Sequence, residues 1–66
     1  MTLIVNGEPS PIETPTTITQ LLNALDAPQR GVAVAVDGQV IPRGAWPMHT
    51  LNEGDRVEVL VAVQGG

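Results

Sequence analysis

The chain has 66 residues and a mass of 6.9 kDa, which allows one domain with one small hydrophobic core. Ordering a chain costs about 1.5 kcal/mol per residue, so a domain this small has little apolar surface left to line a catalytic cleft. The sequence contains no cysteine and one histidine, His49, which excludes disulfides, thiol nucleophiles and multi-histidine metal sites. Seven acidic and three basic residues give a net charge of −4, which argues against a nucleic-acid partner.

The sequence shows no signal for a membrane. Its longest apolar runs, from Gly31 to Val36 and from Leu60 to Val63, are far shorter than the ~18 residues of a membrane span. No basic residue precedes Arg30, so the positively charged start of a signal peptide is lacking. We therefore expect a soluble, cytoplasmic protein with no membrane partner.

The first elements predicted along the chain form a β-hairpin. Residues 2–6 are rich in β-formers, and Asn6-Gly7 is the dipeptide that best tolerates the positive φ angles of a type I′ turn. The returning arm, residues 8–13, contains Pro9 and Pro11, which cannot donate ladder hydrogen bonds. This arm is therefore predicted at an edge of the sheet.

A short amphipathic helix is predicted next. Thr17 and Gln20 have the spacing of a capping box, which marks a helix start. Pro28 disfavours the helical conformation in the residue before it, so the helix should end near residues 26–27. A helix of about nine residues is unstable alone, so its apolar stripe must pack on a sheet. That stripe consists of Ile18, Leu21, Leu22 and Leu25.

A second hairpin and a final strand complete the predicted sheet. Residues 32–36 are apolar, Asp37-Gly38 predicts a turn, and residues 39–41 return. After an irregular stretch over residues 43–51, residues 56–63 are apolar on both faces, which indicates a central strand. The prediction is an α+β fold, a mixed sheet of four to five strands with one main helix on one face. The predicted core includes Leu21, Leu22, Leu25, Val34, Val59 and Val61.

Few side chains are candidates for catalysis. Ser10 and His49 could join an acid in a triad, but Ser10 lies between prolines and nothing supplies an oxyanion hole. Glu53 and Asp55 flank a glycine, where solvated carboxylates ordinarily bind turn amides. Trp46, the only aromatic residue, is interpreted as a lid on the core. We therefore predict no catalytic residue and no metal site.

The remaining feature is the final segment, Gln64-Gly65-Gly66. A terminal glycine carboxylate is ionised at neutral pH and is not crowded by a Cβ, so it could attack the α-phosphate of ATP to give an acyl adenylate. Three extended residues reach about 10 Å, and glycines pass through narrow channels. We therefore divide the chain into a domain, residues 1–63, and a flexible tail, residues 64–66. Ordinary fraying of a chain end is the alternative interpretation.

These features together resemble a known family over essentially the whole chain. The order of elements, the stretch Ile41-Pro42-Arg43-x-x-Trp46-x-x-His49, the Gly54-Asp55 turn and the final Gly-Gly are similar to the ThiS sulfur carriers of thiamine thiazole synthesis. Those carriers are β-grasp, ubiquitin-like proteins. The segment Pro42-Arg43-x-x-Trp46 discriminates best, because a final Gly-Gly is shared with ubiquitin and with the molybdopterin carrier MoaD. The proline-rich second strand departs from the pattern.

The resemblance implies a carrier that is a substrate of enzymes and binds no cofactor itself. An E1-like adenylyltransferase of the ThiF type would activate the Gly66 carboxylate with ATP and Mg²⁺. A persulfide sulfur from a cysteine desulfurase route would then displace AMP, and thiazole synthase of the ThiG type would consume the resulting thiocarboxylate. Gly65 and Gln64 would be recognised as part of the tail. Leu60 and Ala62, on the sheet face away from the helix, would contact the partner enzyme.

Three alternatives stay open on the sequence alone. A MoaD-type carrier would differ only in its partner enzymes. A noncovalent β-grasp interaction module would use the exposed sheet face and ignore the tail. A protein modifier would join its final carboxylate to a target lysine through an isopeptide bond.

Overall fold

The computed structural model describes residues 1–12, 15–28 and 30–61. In chain order its elements are β1 (Thr2–Val5), β2 (Glu8–Pro11), α1 (Ile18–Ala24), β3 (Val32–Val36), β4 (Gln39–Ile41), a 3₁₀ helix (Arg43–Met48) and β5 (Arg56–Val61). None of the helices in these described ranges has the length and apolar character required to cross a membrane.

The strands form one mixed sheet in the order β2-β1-β5-β3-β4. β1 runs parallel to β5, whereas β1–β2, β3–β4 and β3–β5 are antiparallel pairs. β5 lies at the centre, and the proline-containing β2 lies at an edge, opposite β1 through pairs such as Pro9 with Ile4. The predictions of a central last strand and of an edge position for the second strand are therefore confirmed.

The two hairpins turn through dipeptides of the same kind. Asn6 and Gly7 have φ angles of 51° and 81°, and Asp37 and Gly38 have φ angles of 50° and 85°. Positive φ at both central residues is the requirement of a type I′ turn, whose twist matches that of the flanking strands. Both turns occur where the sequence predicted them.

The start of α1 also follows the prediction. The Gln20 amide donates to Thr17 Oγ1 at 3.2 Å, and the Thr17 amide donates to Gln20 Oε1 at 3.0 Å. These reciprocal bonds form a capping box, which satisfies amides that the first helical turn leaves free.

The end of α1 comes earlier than predicted. The last helical residue is Ala24, and Asp26 adopts the left-handed conformation, with φ of 57°. The Asp26 amide donates to Asn23 O at 3.1 Å and the Ala27 amide to Leu22 O at 2.9 Å, the bonding pattern of a Schellman cap. The chain therefore turns away before Pro28 acts on it. Leu25 becomes the C-cap residue and is 43% exposed, so its predicted burial is wrong.

The core lies between α1, the 3₁₀ helix and one face of the sheet. Burial is confirmed for Leu21, Leu22 and Val34, whereas Val59 is partly buried and packs against the core. Val61 is 52% exposed, so its predicted burial is wrong. Val61 lies near the end of β5, where β1 no longer pairs with the strand, because the β1–β5 pairing ends at Val57. In the described part of the chain, no strand flanks Val61 on that side. The buried hydrophobic residues are Leu3, Val5, Ile18, Leu21, Leu22, Val34, Val36, Trp46, Leu51 and Val57.

The stretch predicted to be irregular contains the 3₁₀ helix and the tryptophan lid. Trp46 is 4% exposed and its indole Nε1 donates to Ile41 O at 2.9 Å, so its assignment as a lid on the core is confirmed. The Arg43 guanidinium carbon lies 5.5 Å from the centre of the indole ring, within cation–π range. Arg43 and Trp46, two of the three residues that define the discriminating segment, therefore contact each other.

Candidate functional site

The two faces of the sheet differ in what covers them. Successive side chains of a strand point to opposite faces, and Val57 of β5 is buried in the core. Its neighbours on β5 therefore point to the other face, together with the residues that pair with them on β1, β3 and β4. We call this the open face, because each of its side chains is exposed or half-buried. It comprises Ile4, Ala33, Ala35, Val40, Arg56, Glu58 and Leu60.

Leu60 is the large apolar side chain of the open face nearest to the end of the chain. It is 64% exposed and lies opposite Ala33 of β3. Glu58 and Arg56 share its side of β5, and a shallow groove passes over them towards Ile4 and Gly7. The structure thus places Leu60 on the face predicted for partner contact. The contact itself stays a prediction.

The end of β5, around Val59 and Val61, is hydrogen-bonded or paired on both of its sides. On one side, β3 pairs with β5 as far as Val61, which lies opposite Val32. On the other side, β1 ends at Val5, and the side chain of Asn6 makes the next hydrogen bonds to β5. The Val59 amide donates to Asn6 Oδ1 at 2.8 Å, and Asn6 Nδ2 donates to Val59 O at 3.3 Å.

The sequence predicts Asn6 as a turn residue only, so this second contribution of its side chain is a finding of the structure. Asparagine tolerates positive φ and also carries one donor and one acceptor in a planar amide, the same pair that a backbone peptide offers. The amide of Asn6 therefore acts as one further position of β1 beside Val59.

The other predicted site residues lie outside the described part of the chain. These are Ala62, the second proposed partner contact, and the tail residues Gln64, Gly65 and Gly66. The division into a domain of residues 1–63 and a tail of residues 64–66 also falls partly outside it. The roles given to these residues stay predictions.

The acidic residues of the 52–55 turn have structural partners. Asp55 Oδ2 accepts from the Asn52 amide at 2.7 Å, and Glu53 Oε1 accepts from the Thr2 amide at 3.0 Å. The bond of Asp55 fits the interpretation of these carboxylates as ligands of turn amides, whereas Glu53 binds the first amide of β1. Within residues 1–12, 15–28 and 30–61, no group of three or more His, Asp or Glu side chains is placed to hold a metal ion.

Comparison with known proteins gives a family and a fold. A model of the ThiS family matches residues 3–66. The sulfur carrier protein ThiS of Escherichia coli (strain K12) is 30% identical over 66 residues, which cover all of both chains. The crystal structure of the thiamine biosynthesis protein (ThiS) from Geobacter metallireducens is similar with a TM-score of 0.86 and 39% identity, again over all of both chains.

A third relative is much longer than this chain. The thiazole synthase of Paramagnetospirillum magneticum (strain ATCC 700264 / AMB-1) is 30% identical over 66 residues, which are all of this chain but 20% of that protein. A segment similar to this chain is therefore part of a longer polypeptide named for thiazole synthesis.

The comparisons confirm the predicted β-grasp fold. Of the two carrier types that the sequence left open, the matches are to the thiamine type. Carriers of this type bind no cofactor themselves and are not catalysts. With a family match from residue 3 to residue 66 and full-length similarity to two ThiS proteins, the chain belongs to the ThiS family of sulfur carriers in thiamine biosynthesis.

Proposed function

We propose that the carboxylate of Gly66 is the group that carries sulfur. The observation that supports this proposal most directly is the family match, which runs through the final Gly65-Gly66. In the first step a carboxylate oxygen attacks the α-phosphorus of ATP, and the bond to pyrophosphate breaks. The products are an acyl adenylate on Gly66 and free pyrophosphate.

Sulfur enters in the second step. The terminal sulfur of a persulfide attacks the acyl carbon, the bond to AMP breaks, and AMP leaves with the electron pair. The product is an acyl disulfide. A second thiol of the donor system then reduces this disulfide, which leaves a thiocarboxylate on Gly66 and a disulfide on the donor. The thiocarboxylate supplies sulfur for thiazole formation.

The composition of the chain suits this chemistry. An acyl adenylate reacts with amines and thiols, and the sequence contains neither lysine nor cysteine. The side chains of the carrier therefore offer no internal nucleophile of either kind. The sulfur and the activating ATP with Mg²⁺ come from partner enzymes, which we place with the carrier in the cytoplasm.

We propose two partners. The first is an E1-like adenylyltransferase of the ThiF type, which docks on the open face through Leu60 and Ala62 and receives the tail. Gly66 lies six positions after Leu60, which gives an extended reach of about 20 Å from the docking contact to the reacting carboxylate. The second is thiazole synthase of the ThiG type, and the longer thiazole synthase with a similar segment supports it, since fused domains commonly act together.

The test measures the mass of the intact protein after incubation with the adenylating enzyme, ATP, Mg²⁺ and a persulfide donor. The expected product has one oxygen replaced by sulfur, and it should require ATP. Gly65→Val and deletion of Gly66 should each slow AMP formation about 100-fold, because about 1 Å of misplacement at a reacting group has an effect of this size.

The same variants should change the free energy of unfolding by no more than about 0.5 kcal/mol, which is typical of surface positions. Thermal unfolding of the wild type and both variants provides this control. The proposal is wrong if either variant is activated at the wild-type rate. Loss of folding in both variants would contradict a separate tail.

A further inference from the structure

Two side chains of the hairpin turns bind the backbone of β5, one from each side. Asp37 follows β3 and accepts a hydrogen bond from the Arg56 amide through Oδ1 at 3.1 Å. Asn6 follows β1 and makes the two bonds with Val59 described above. Both residues occupy the first turn position, with φ of 50° and 51°, and a glycine follows each. The two contacts thus differ in where they hold β5 and in number, since Asp37 accepts one bond from β5 and the Asn6 side chain makes two.

The position of the Asn6 contact gives it a distinct consequence. Arg56 begins β5, where the backbone amide of Asp37 also bonds to Arg56 O at 2.8 Å. Val59 lies near the end of the described strand, seven residues before Gly66. On the β1 side, the last backbone bond to β5 is the one from the Asn6 amide to Val57 O at 2.9 Å. Beyond this bond, the side chain of Asn6 provides hydrogen-bond partners for both the backbone N–H and the backbone C=O of Val59.

Loss of this contact would remove the hydrogen bonds that hold β5 on the β1 side, next to Leu60. The side-chain amide fixes the peptide groups on both sides of the Val59 Cα, and the second of these is the link to Leu60. The contact therefore fixes the peptide that leads into Leu60, the residue proposed to dock on the partner. In its absence, β5 would be held there from the β3 side, through Ala33 and Val32.

We propose that Asn6 is a positioning residue for the tail, an inference that rests on the proposed function. Its side-chain amide holds the end of β5 so that Leu60 and the tail present themselves to the adenylating enzyme in one arrangement. Without it, binding would have to order the end of β5, and this entropic cost would raise the KM for the carrier. Once bound, the partner would hold the tail in either case, so kcat would change little.

The test compares Asn6→Gly with the matched control Asp37→Gly. Each change converts the turn to Gly-Gly, which tolerates the same positive φ angles, and each removes a side-chain contact to β5. Pyrophosphate release by the adenylating enzyme is measured against carrier concentration, at a temperature where thermal unfolding shows all variants folded. For Asn6→Gly the KM should rise about tenfold with kcat within about twofold of wild type, because ordering costs appear in binding. For Asp37→Gly both constants should stay within about twofold, because its contact lies at the far end of β5.

A second measurement is independent of the enzyme. Amide hydrogen exchange at Val59 and Leu60 should become faster in Asn6→Gly than in Asp37→Gly. If Asn6→Gly does not fold, Asn6→Asp replaces it, since it keeps the turn and the acceptor but loses the donor to Val59 O. A smaller rise in KM, still larger than that of Asp37→Gly, is then expected, because the bond from the Val59 amide remains.

The outcomes separate this inference from the proposed function. Absence of adenylation in the wild type would overturn the proposed function. Adenylation of the wild type with equal KM values for the Asn6 and Asp37 variants would overturn only the role of Asn6. A fall in kcat with unchanged KM would also overturn it, because the effect would then lie in the chemical step.

Discussion

The two faces of the sheet differ in burial, and we propose that they also differ in task. On the covered face, which packs against α1 and the 3₁₀ helix, side chains such as Leu3, Val34 and Val57 are no more than 1% exposed. On the open face, Leu60 and Val40 are 64% and 70% exposed. Full burial of a leucine or valine side chain is worth about 1.5 to 3 kcal/mol, so the covered face supplies most of the stability. The side chains of the open face are therefore not needed for the core, which leaves them available for the contact that we propose.

β5 shows how one strand serves both tasks. Its alternation sends Val57 into the core and Leu60 to the open face. The sequence predicted a central strand from apolar residues on both of its sides, and the strand is central. The apolar character of Leu60, however, is not explained by burial within this domain. The docking role proposed for Leu60 would account for it, and variants on the two faces test this division.

The largest effect is expected on the covered face. Leu22→Ala should reduce the free energy of unfolding by about 2 to 5 kcal/mol, because it removes a fully buried side chain and leaves a cavity. Leu25→Ala, three residues further along, should cost about 1 kcal/mol or less, because Leu25 is 43% exposed. Urea unfolding of both variants measures the difference. Equal costs would show that the end of α1 packs differently from the Schellman cap described above.

A smaller effect on stability and a larger one on binding are expected on the open face. Leu60→Glu should weaken binding to the adenylating enzyme at least tenfold, because a charged group would replace an apolar contact worth about 1.5 to 3 kcal/mol. Its free energy of unfolding should change by no more than about 0.5 kcal/mol.

Met48→Glu is the matched control for this change. Met48 is 80% exposed in the 3₁₀ helix, away from the open face, and the substitution adds the same charge to an acidic protein. Its affinity should equal that of the wild type, as measured by titration calorimetry. Equal weakening by both variants would mean that net charge, and not the open face, governs binding.

Local signals made much of the fold predictable. The Asn-Gly and Asp-Gly turns and the capping box depend on residues that lie within a few positions of each other, and all three form where predicted. The end of α1 was harder to predict, because Asp26 adopts the left-handed conformation that glycine usually takes in a Schellman cap. The 3₁₀ helix contains Gly44 and Pro47, which read as a loop in the sequence.

The candidate site was predictable only in part. Strand alternation was enough to place Leu60 on the face away from the helix. The contact of Asn6 with Val59 joins residues 53 positions apart. It depends on β1 and β5 being parallel neighbours and on β1 ending where Val59 needs a partner. Neither condition is a local property of the sequence.

A modest effect, confined to stability, is expected at the start of α1, at the rim of the covered face. Thr17→Ala should lower the free energy of unfolding by about 1 kcal/mol, because it removes the acceptor for the Gln20 amide. Gln20→Ala removes the reciprocal acceptor for the Thr17 amide. Since the two bonds form one capping box, the double variant should cost less than the sum of the two single changes.

This cycle sharpens the comparison of the faces because it perturbs stability without touching the open face. All three variants should bind the adenylating enzyme as the wild type does while their urea midpoints fall. Strictly additive losses would show that the two bonds act independently. A loss of affinity at full folding would show that the covered face also takes part in docking, and the division of tasks between the two faces would not hold.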